Sequence, residues 1–281
     1  MANVSLTAGV RANLLSLQAT GTLLGQTQAR IGSGKKVASA VDDPTAYFTA
    51  QALSNRAGDL TARLDGIAKG VQTVKAATAG IEGITALLKQ AKGIAQDARA
   101  LSTSGGQADT DRAAQLTKYN AVLAQVDSLA KDSGYDGVNL LKGDSLTVQF
   151  AEKAGSSTLA MTGFTGTHGG AVVTTADATT GAWAGNGNAA IDTQISSIET
   201  SMSNLQSQAK TLSSNLATLT TRQTFTKSMI DTLTTGSDNL TNADLNTESA
   251  NLLALNTQNS LGINALSLAS QASQSVLKLL G

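Results

Sequence analysis

From Ile191 to Leu233 the chain reads IDTQISSIETSMSNLQSQAKTLSSNLATLTTRQTFTKSMIDTL. Ile191, Ile195, Ile198, Met202, Leu205, Ala209, Leu212, Leu216 and Leu219 fall at strict four-and-three steps. Ile230 and Leu233 resume the rhythm after Gln223 and Thr226. Such a repeat winds a narrow apolar seam along a helix and asks for a partner helix to cover it. A helix over this stretch is roughly 65 Å long at a rise of about 1.5 Å per residue. Gly236 is expected to interrupt it.

The spacing recurs upstream. Leu60, Leu64, Ile67, Val71, Val74, Ile81 and Leu88 predict a second long helix, running to about Leu101 and stopping at Gly105-Gly106. Asp42, Asp43 and Pro44 read as its connector and cap. An aspartate side chain can accept the first free N–H groups, and proline at the first helical position lacks an N–H that would have no partner there. Leu64, Val71, Ile81 and Leu88, with Ile195, Leu205, Leu212 and Leu219, are the expected rod core. A third helix, capped near Asp109 or Thr110, carries Leu116, Leu123 and Val126 to about Lys131. The period then changes to the alternation of a strand in Leu146-Thr147-Val148-Gln149-Phe150. Thr158-Leu159-Ala160-Met161 can return as its partner after the turn-prone Gly155-Ser156. Gly163 to Asn188 is rich in Gly, Thr and Ala with little periodicity, and reads as a loop or a small, weakly packed excursion.

Both ends carry seams with more apolar residues than a seam needs. The N-terminal stripe is Val10, Leu14, Leu17, Leu24 and Ile31, with Leu15 and Leu23 off it. The C-terminal stripe is Leu245, Leu252, Leu255, Leu266, Ala269, Val276 and Leu280, with Leu253, Leu261, Ile263, Leu268, Leu277 and Leu279 off it. The terminal helix is expected to start near Thr241, with Asp244 in its first turn. Pairing the ends hides one face of each and leaves the rest uncovered, and large exposed apolar patches mark association surfaces. The candidate self-assembly residues are Val10, Leu14, Leu17, Leu24, Ile31, Leu252, Leu255, Ile263, Leu266, Leu268, Val276 and Leu280. The ends are expected to order fully only against copies of the chain.

The expected fold is mainly α: an antiparallel hairpin of long helices forming a coiled-coil rod, with paired terminal helices and a small β-hairpin plus loop at the tip. Residues 1–43 and 237–281 form the terminal domain with its connectors, 44–154 and 188–236 the rod domain, and 155–187 a short exposed return and variable loop. Composition agrees. Aromatics are 3% and charged residues 14% of 281 residues, and the apolar content is mostly Ala, Leu, Ile and Val, which suits long, closely packed helices. Twenty basic and twenty acidic residues leave no basic stripe for nucleic acid or anionic membrane. The absence of cysteine excludes disulfides and thiolate metal sites. The N-terminus lacks the basic and apolar regions of a secretory signal, so export is expected without a cleaved signal peptide. No apolar run approaches the roughly 20 residues of a membrane span.

Four stretches resemble bacterial flagellin. Ala29-Arg30-Ile31-Gly32-Ser33-Gly34-Lys35-Lys36-Val37-Ala38-Ser39-Ala40-Val41-Asp42-Asp43 is similar to the family's N-terminal signature. Glu248-Ser249-Ala250-Asn251-Leu252-Leu253-Ala254-Leu255 and Leu261-Gly262-Ile263-Asn264-Ala265-Leu266-Ser267-Leu268-Ala269 are similar to its C-terminal one, and Gly137-Val138-Asn139-Leu140-Leu141 is a further match. The resemblance covers residues 1–150 and 188–281. It implies an extracellular helical filament used for swimming, with the termini as an inner tube around an export channel and the middle facing solvent. It implies as partners further copies of the chain, hook-associated junction and cap proteins, an export chaperone and the export apparatus. A vertebrate Toll-like receptor senses many flagellins through the stretch equivalent to Leu88–Gln96. Gln90 and Gly93 stand where stimulating sequences carry Arg and Glu, so weak recognition is expected.

Other readings stand beside this one. Asp42-Asp43-Pro44 is also typical of the hook–filament junction protein. A secreted helical adhesin or membrane-active effector needs an apolar hairpin or basic amphipathic helix, and neither is visible. An enzyme needs a convergent His, Cys or carboxylate cluster, and none is apparent, so no catalysis or cofactor is expected. Gly32-Ser33-Gly34-Lys35 lacks the GxxxxGK[ST] of a phosphate loop and reads as a turn. His168, alone in a Gly-rich loop, is expected to be exposed. Trp183 either anchors that loop on the rod or serves as a surface contact.

Overall fold

The computed structural model describes residues 8–102, 106–152, 157–175, 177–178, 182–184 and 188–280, apart from the side chains of 273 and 276–280. Its helices are α1 (Ala8–Ser33), α2 (Pro44–Ala100), α3 (Gly106–Asp132), α4 (Ala189–Thr241) and α5 (Leu245–Leu280). Strands β1 (Leu146–Gln149) and β2 (Thr158–Met161) pair antiparallel, with Leu146 opposite Met161 and Val148 opposite Leu159. The turn expected at Gly155-Ser156 lies outside the described residues. The chain divides into two compact units, residues 57–231 and residues 1–56 with 232–281.

In the unit of residues 57–231, the heptad spacing decides what is buried. On α4, Ile191, Ile198, Leu205, Leu212 and Leu219 are all buried, one every seventh residue. The alternate seam of Ile195, Met202, Ala209 and Leu216 is only half covered. α2 buries two such series: Ile67, Val74, Ile81, Leu88 and Ala95, then Ala77, Ile84, Ala91 and Ala98. One helix with two buried stripes has helices on both sides of it. α3 lies against α2 where Gly83 faces Leu129, and Gly80 faces Ser133 just past the end of α3. α4 runs antiparallel to α2, marked by ion pairs of Lys92 with Glu199 and Arg99 with Asp192. The hairpin sets Val148 onto α2 at Gly70.

Five expectations are corrected. Gly236 does not interrupt α4, which continues to Thr241; one helical glycine costs only about 1 kcal/mol against alanine, and the next residue ties α4 to α2, Ser237 Oγ donating to Ala50 O at 3.1 Å. α3 begins at Gly106, so Asp109 sits inside its first turn, where the helix dipole favours an anion, instead of capping it. α5 begins at Leu245, with Asp244 as its cap instead of a first-turn residue. The stretch after β2 is a loop, as expected, but its described residues are not weakly packed: Val172, Val173 and Trp183 are buried, with the Trp183 ring tilted against that of Tyr119 at a centroid distance of 5.1 Å and the Trp183 carbonyl accepting from Arg112 Nη1 at 3.1 Å. His168 is largely buried, between Asp127 and Asp177.

Candidate assembly surface

Asp43 opens α2 as a cap, its Oδ1 accepting from Ala46 N–H at 3.0 Å. Asp42 acts one step earlier. Its Oδ2 accepts from the backbone N–H groups of Ala38 and Ser39 and from the Ser39 hydroxyl, closing a turn in the connector. The Ser39 backbone, then its hydroxyl, then the Ala38 N–H hold the Asp42 carboxyl below the usual carboxylate range. Asp244 is likewise held low, first by the Thr247 hydroxyl and then by the N–H groups of Asn246 and Thr247.

The connector is stitched to the segment before α5. Lys36 and Val37 N–H donate to Thr241 O at 2.8 and 3.2 Å, and Ala243 N–H donates to Gly34 O at 2.9 Å. Gly34 takes φ 70°, a region glycine enters at no steric cost. This short β-like clasp brings the end of α1 beside the start of α5. Next to it Arg30 Nη1 lies 3.3 Å from Glu248 Oε1, with the glutamate buried. Further along, Gly262 of α5 lies so close to α1 that a Cβ there would stand 2.8 Å from Leu17 Cδ1. α1 and α5 therefore run antiparallel over their described lengths.

Pairing leaves both helices incompletely covered. Thr20, Thr27 and Glu248 are their fully buried residues, and among the described residues no large apolar side chain of either helix is fully buried. Val10, Leu17, Leu24, Ile31, Leu252, Leu255 and Leu266 are half-buried. Leu14, Ile263 and Leu268 are exposed, as are Leu15, Leu23, Leu245, Leu253 and Leu261. The exposure reaches 65% at Leu15, 71% at Leu253 and 69% at Leu268, values an isolated soluble helix pair cannot relieve by itself. The side chains of Val276 and Leu280 lie outside the described ones. In the other unit, Val71, Ile81, Leu88, Leu205, Leu212 and Leu219 are buried, while Leu64 and Ile195 are half-buried.

Sequence reading missed the clasp at Gly34, Lys36, Thr241 and Ala243 and the Arg30–Glu248 pair. Backbone hydrogen bonds between segments two hundred residues apart leave no periodic trace; the one signal was a glycine just after a helix end. Among the described residues, no three His, Cys, Asp or Glu groups stand where they could hold a metal, and no helix is long and apolar enough to cross a membrane.

Long seamed helices with paired ends define a helical structural protein. Two family models match: the bacterial flagellin N-terminal helical region over residues 6–145, and the bacterial flagellin C-terminal helical region over residues 189–280. Flagellin FljM of Caulobacter vibrioides is 32% identical over 284 residues, covering 99% of this chain and 98% of the relative. Flagellin FljO of the same organism is 31% identical with the same coverage, and a Brucella melitensis flagellin is 26% identical over 99% of both chains. The chain belongs to the bacterial flagellin family: it is a structural subunit of the extracellular flagellar filament and not an enzyme.

Proposed function

We propose that this chain polymerises through the uncovered faces of α1 and α5, which pack against further copies as the inner tube around an export channel, in a filament used for swimming. The observation that carries this reading is the row of exposed leucines and isoleucine on both helices. Each side chain buried in an assembly contributes about 1.5–3 kcal/mol, so a handful per subunit supplies a strong drive to associate. Residues 1–43 and 237–281 act as the terminal domain, 44–154 and 188–236 as the rod, and 155–187 as the outer loop. Leu64, Val71, Ile81, Leu88, Ile195, Leu205, Leu212 and Leu219 hold the rod together, while Asp42, Asp43 and Pro44 set the connector. Hook-associated junction and cap proteins, an export chaperone and the export apparatus are the expected partners.

Purified protein incubated with short filament seeds tests the reading, beside a chain lacking about 30 residues at each end. Electron microscopy should show long filaments from the intact chain and none from the truncated one. An intact chain that only capped the seeds would favour a junction protein and overturn the proposal. Gln90 is exposed on α2, and Gly93 adds no side chain. Stimulation of the Toll-like receptor should be weak in reporter cells, and a response equal to that of an enteric flagellin would refute this part.

A further inference from the structure

Between α2, the 135–138 turn and β1 lies a cleft of about 330 Å³. Two glycines of α2 shape it. Gly70 lets the hairpin come close, since a Cβ there would stand 2.7 Å from Val148 Cγ2. Gly66, about one turn earlier, keeps the space open, because a Cβ there meets nothing within 4 Å. Val138, Leu146 and Val148 supply apolar wall.

The polar groups of the cleft are unevenly matched. Lys69 Nζ pairs with Asp136 Oδ2 at 2.9 Å, so these two charges offset each other. Arg63 has no such counterpart: among the described residues, no carboxylate lies within ion-pair distance of its guanidinium. Asp59 and Asp65, its acidic neighbours on α2, are exposed. Arg63 Nη1 donates to Gln149 Oε1 at 3.4 Å. Arg63 Nε is buried and finds no acceptor, and the same holds for Gln149 Nε2. Turning the Gln149 amide over brings no relief, because its NH₂ would then face a guanidinium that only donates. The cleft therefore holds one positive charge in excess and two buried donors without an acceptor, a costly arrangement.

We propose that this cleft is a carboxylate-binding site, with Arg63 and Gln149 as its polar contacts. A carboxylate only accepts, and a guanidinium takes it by two parallel N–H groups. A single negative charge on a short hydrocarbon chain matches the one surplus cation and the apolar walls. A doubly charged phosphate fits worse, since its second charge meets Asp136 with Lys69 already paired. The carboxylate comes either from a small organic acid in solution or from an acidic side chain of a second copy. The site is built within one compact unit and stands whether or not the polymerisation reading holds.

Nuclear magnetic resonance of the full-length monomer tests it, with sodium butyrate as the probe and sodium chloride or sodium phosphate at equal ionic strength as controls. Butyrate should shift the Gln149 side-chain amide and Arg63 Nε signals saturably, and the controls should not. Arg63→Gln should weaken butyrate binding about tenfold or more, the equivalent of one lost charge-assisted hydrogen bond. Gly66→Leu fills the cleft without touching the guanidinium and serves as the test if the arginine variant misfolds; it too should abolish the shifts. Absence of a saturable shift, an equal response to chloride, or unchanged affinity in either folded variant overturns the proposal. Seeded elongation then tells the two sources apart. If a second copy supplies the carboxylate, butyrate slows elongation of the parent and Arg63→Gln elongates more slowly; if a free acid is the ligand, neither changes the rate. A parent chain that forms no filaments sinks the polymerisation reading and leaves the monomer titration to decide the site.

Discussion

At the scale of single residues, two glycines of α2 separate close packing from free surface. A Cβ on Gly80 would stand 2.2 Å from Ser133 Oγ and 2.9 Å from Leu141 Cδ2, so the segment that follows α3 could not keep its place. Gly80→Ala should destabilise the chain by about 1–3 kcal/mol, read as a lower denaturant midpoint at unchanged slope. A Cβ on Gly93 meets nothing within 4 Å. Gly93→Ala should leave stability unchanged or raise it by up to about 1 kcal/mol, because alanine gives up less backbone entropy in a helix. Asp43→Ala removes the N-cap of α2 and should cost about 0.5–2 kcal/mol, seen first as faster exchange at the Ala46 amide. Asp244 sets a pH dependence at α5. Its carboxyl is held low in the folded chain, so its stabilisation is complete above the usual aspartate range and is lost as pH falls below about 4. Acid titration should fray the first turn of α5, and Asp244→Asn should flatten that response.

At the scale of elements, the number of stripes a helix buries reports its surroundings. α2 buries two seven-residue series and α4 one complete series with a second half covered, and both patterns are written in the sequence as leucine, isoleucine and alanine spacing. The half-covered seam of α4 leaves a groove floored by Met202 and Ala209 beside Ile81 and Thr85 of α2. α1 and α5 sit at the other extreme, with only threonines and one glutamate buried among their described side chains. Leu253→Gln and Leu268→Gln should therefore leave monomer stability within about 0.5 kcal/mol of the parent. Each should raise the critical concentration for seeded growth about tenfold or more, the equivalent of one lost leucine burial. Equal growth by either variant would place that leucine outside the contact.

For the molecule as a whole, the ends should differ from the rest of the chain in dynamics. They hold their helices with little burial, and segments of low burial open first. Amides of residues 8–30 and 250–272 should exchange faster in the monomer than those of residues 67–98, and slow markedly in filaments. Equal protection in monomer and filament would contradict assembly through these faces.

Much of this was legible in advance because it is local or periodic. Seven-residue spacing marks a helix and its buried stripe, Asp43-Pro44 marks a start, and alternation at Leu146–Phe150 marks a strand. The surplus of leucines at both ends told of uncovered surface before any fold was seen. Other features depended on residues far apart in the chain meeting in space. The clasp of Gly34 and Lys36 with Thr241 and Ala243, the Arg30–Glu248 pair, the burial of Trp183 against Tyr119 and the enclosure of His168 by Asp127 and Asp177 belong to this class. Gly236 shows why local signals mislead there: its intrinsic cost to a helix is only about 1 kcal/mol, and the helix carries on past it into the Ser237–Ala50 hydrogen bond to α2. The sequence by itself determined which segments are helices, which faces they bury and that the ends carry unspent apolar surface, since period and composition act residue by residue. Only the tertiary structure decided which polar groups meet, because hydrogen bonds and ion pairs between distant segments depend on positions that no periodicity encodes.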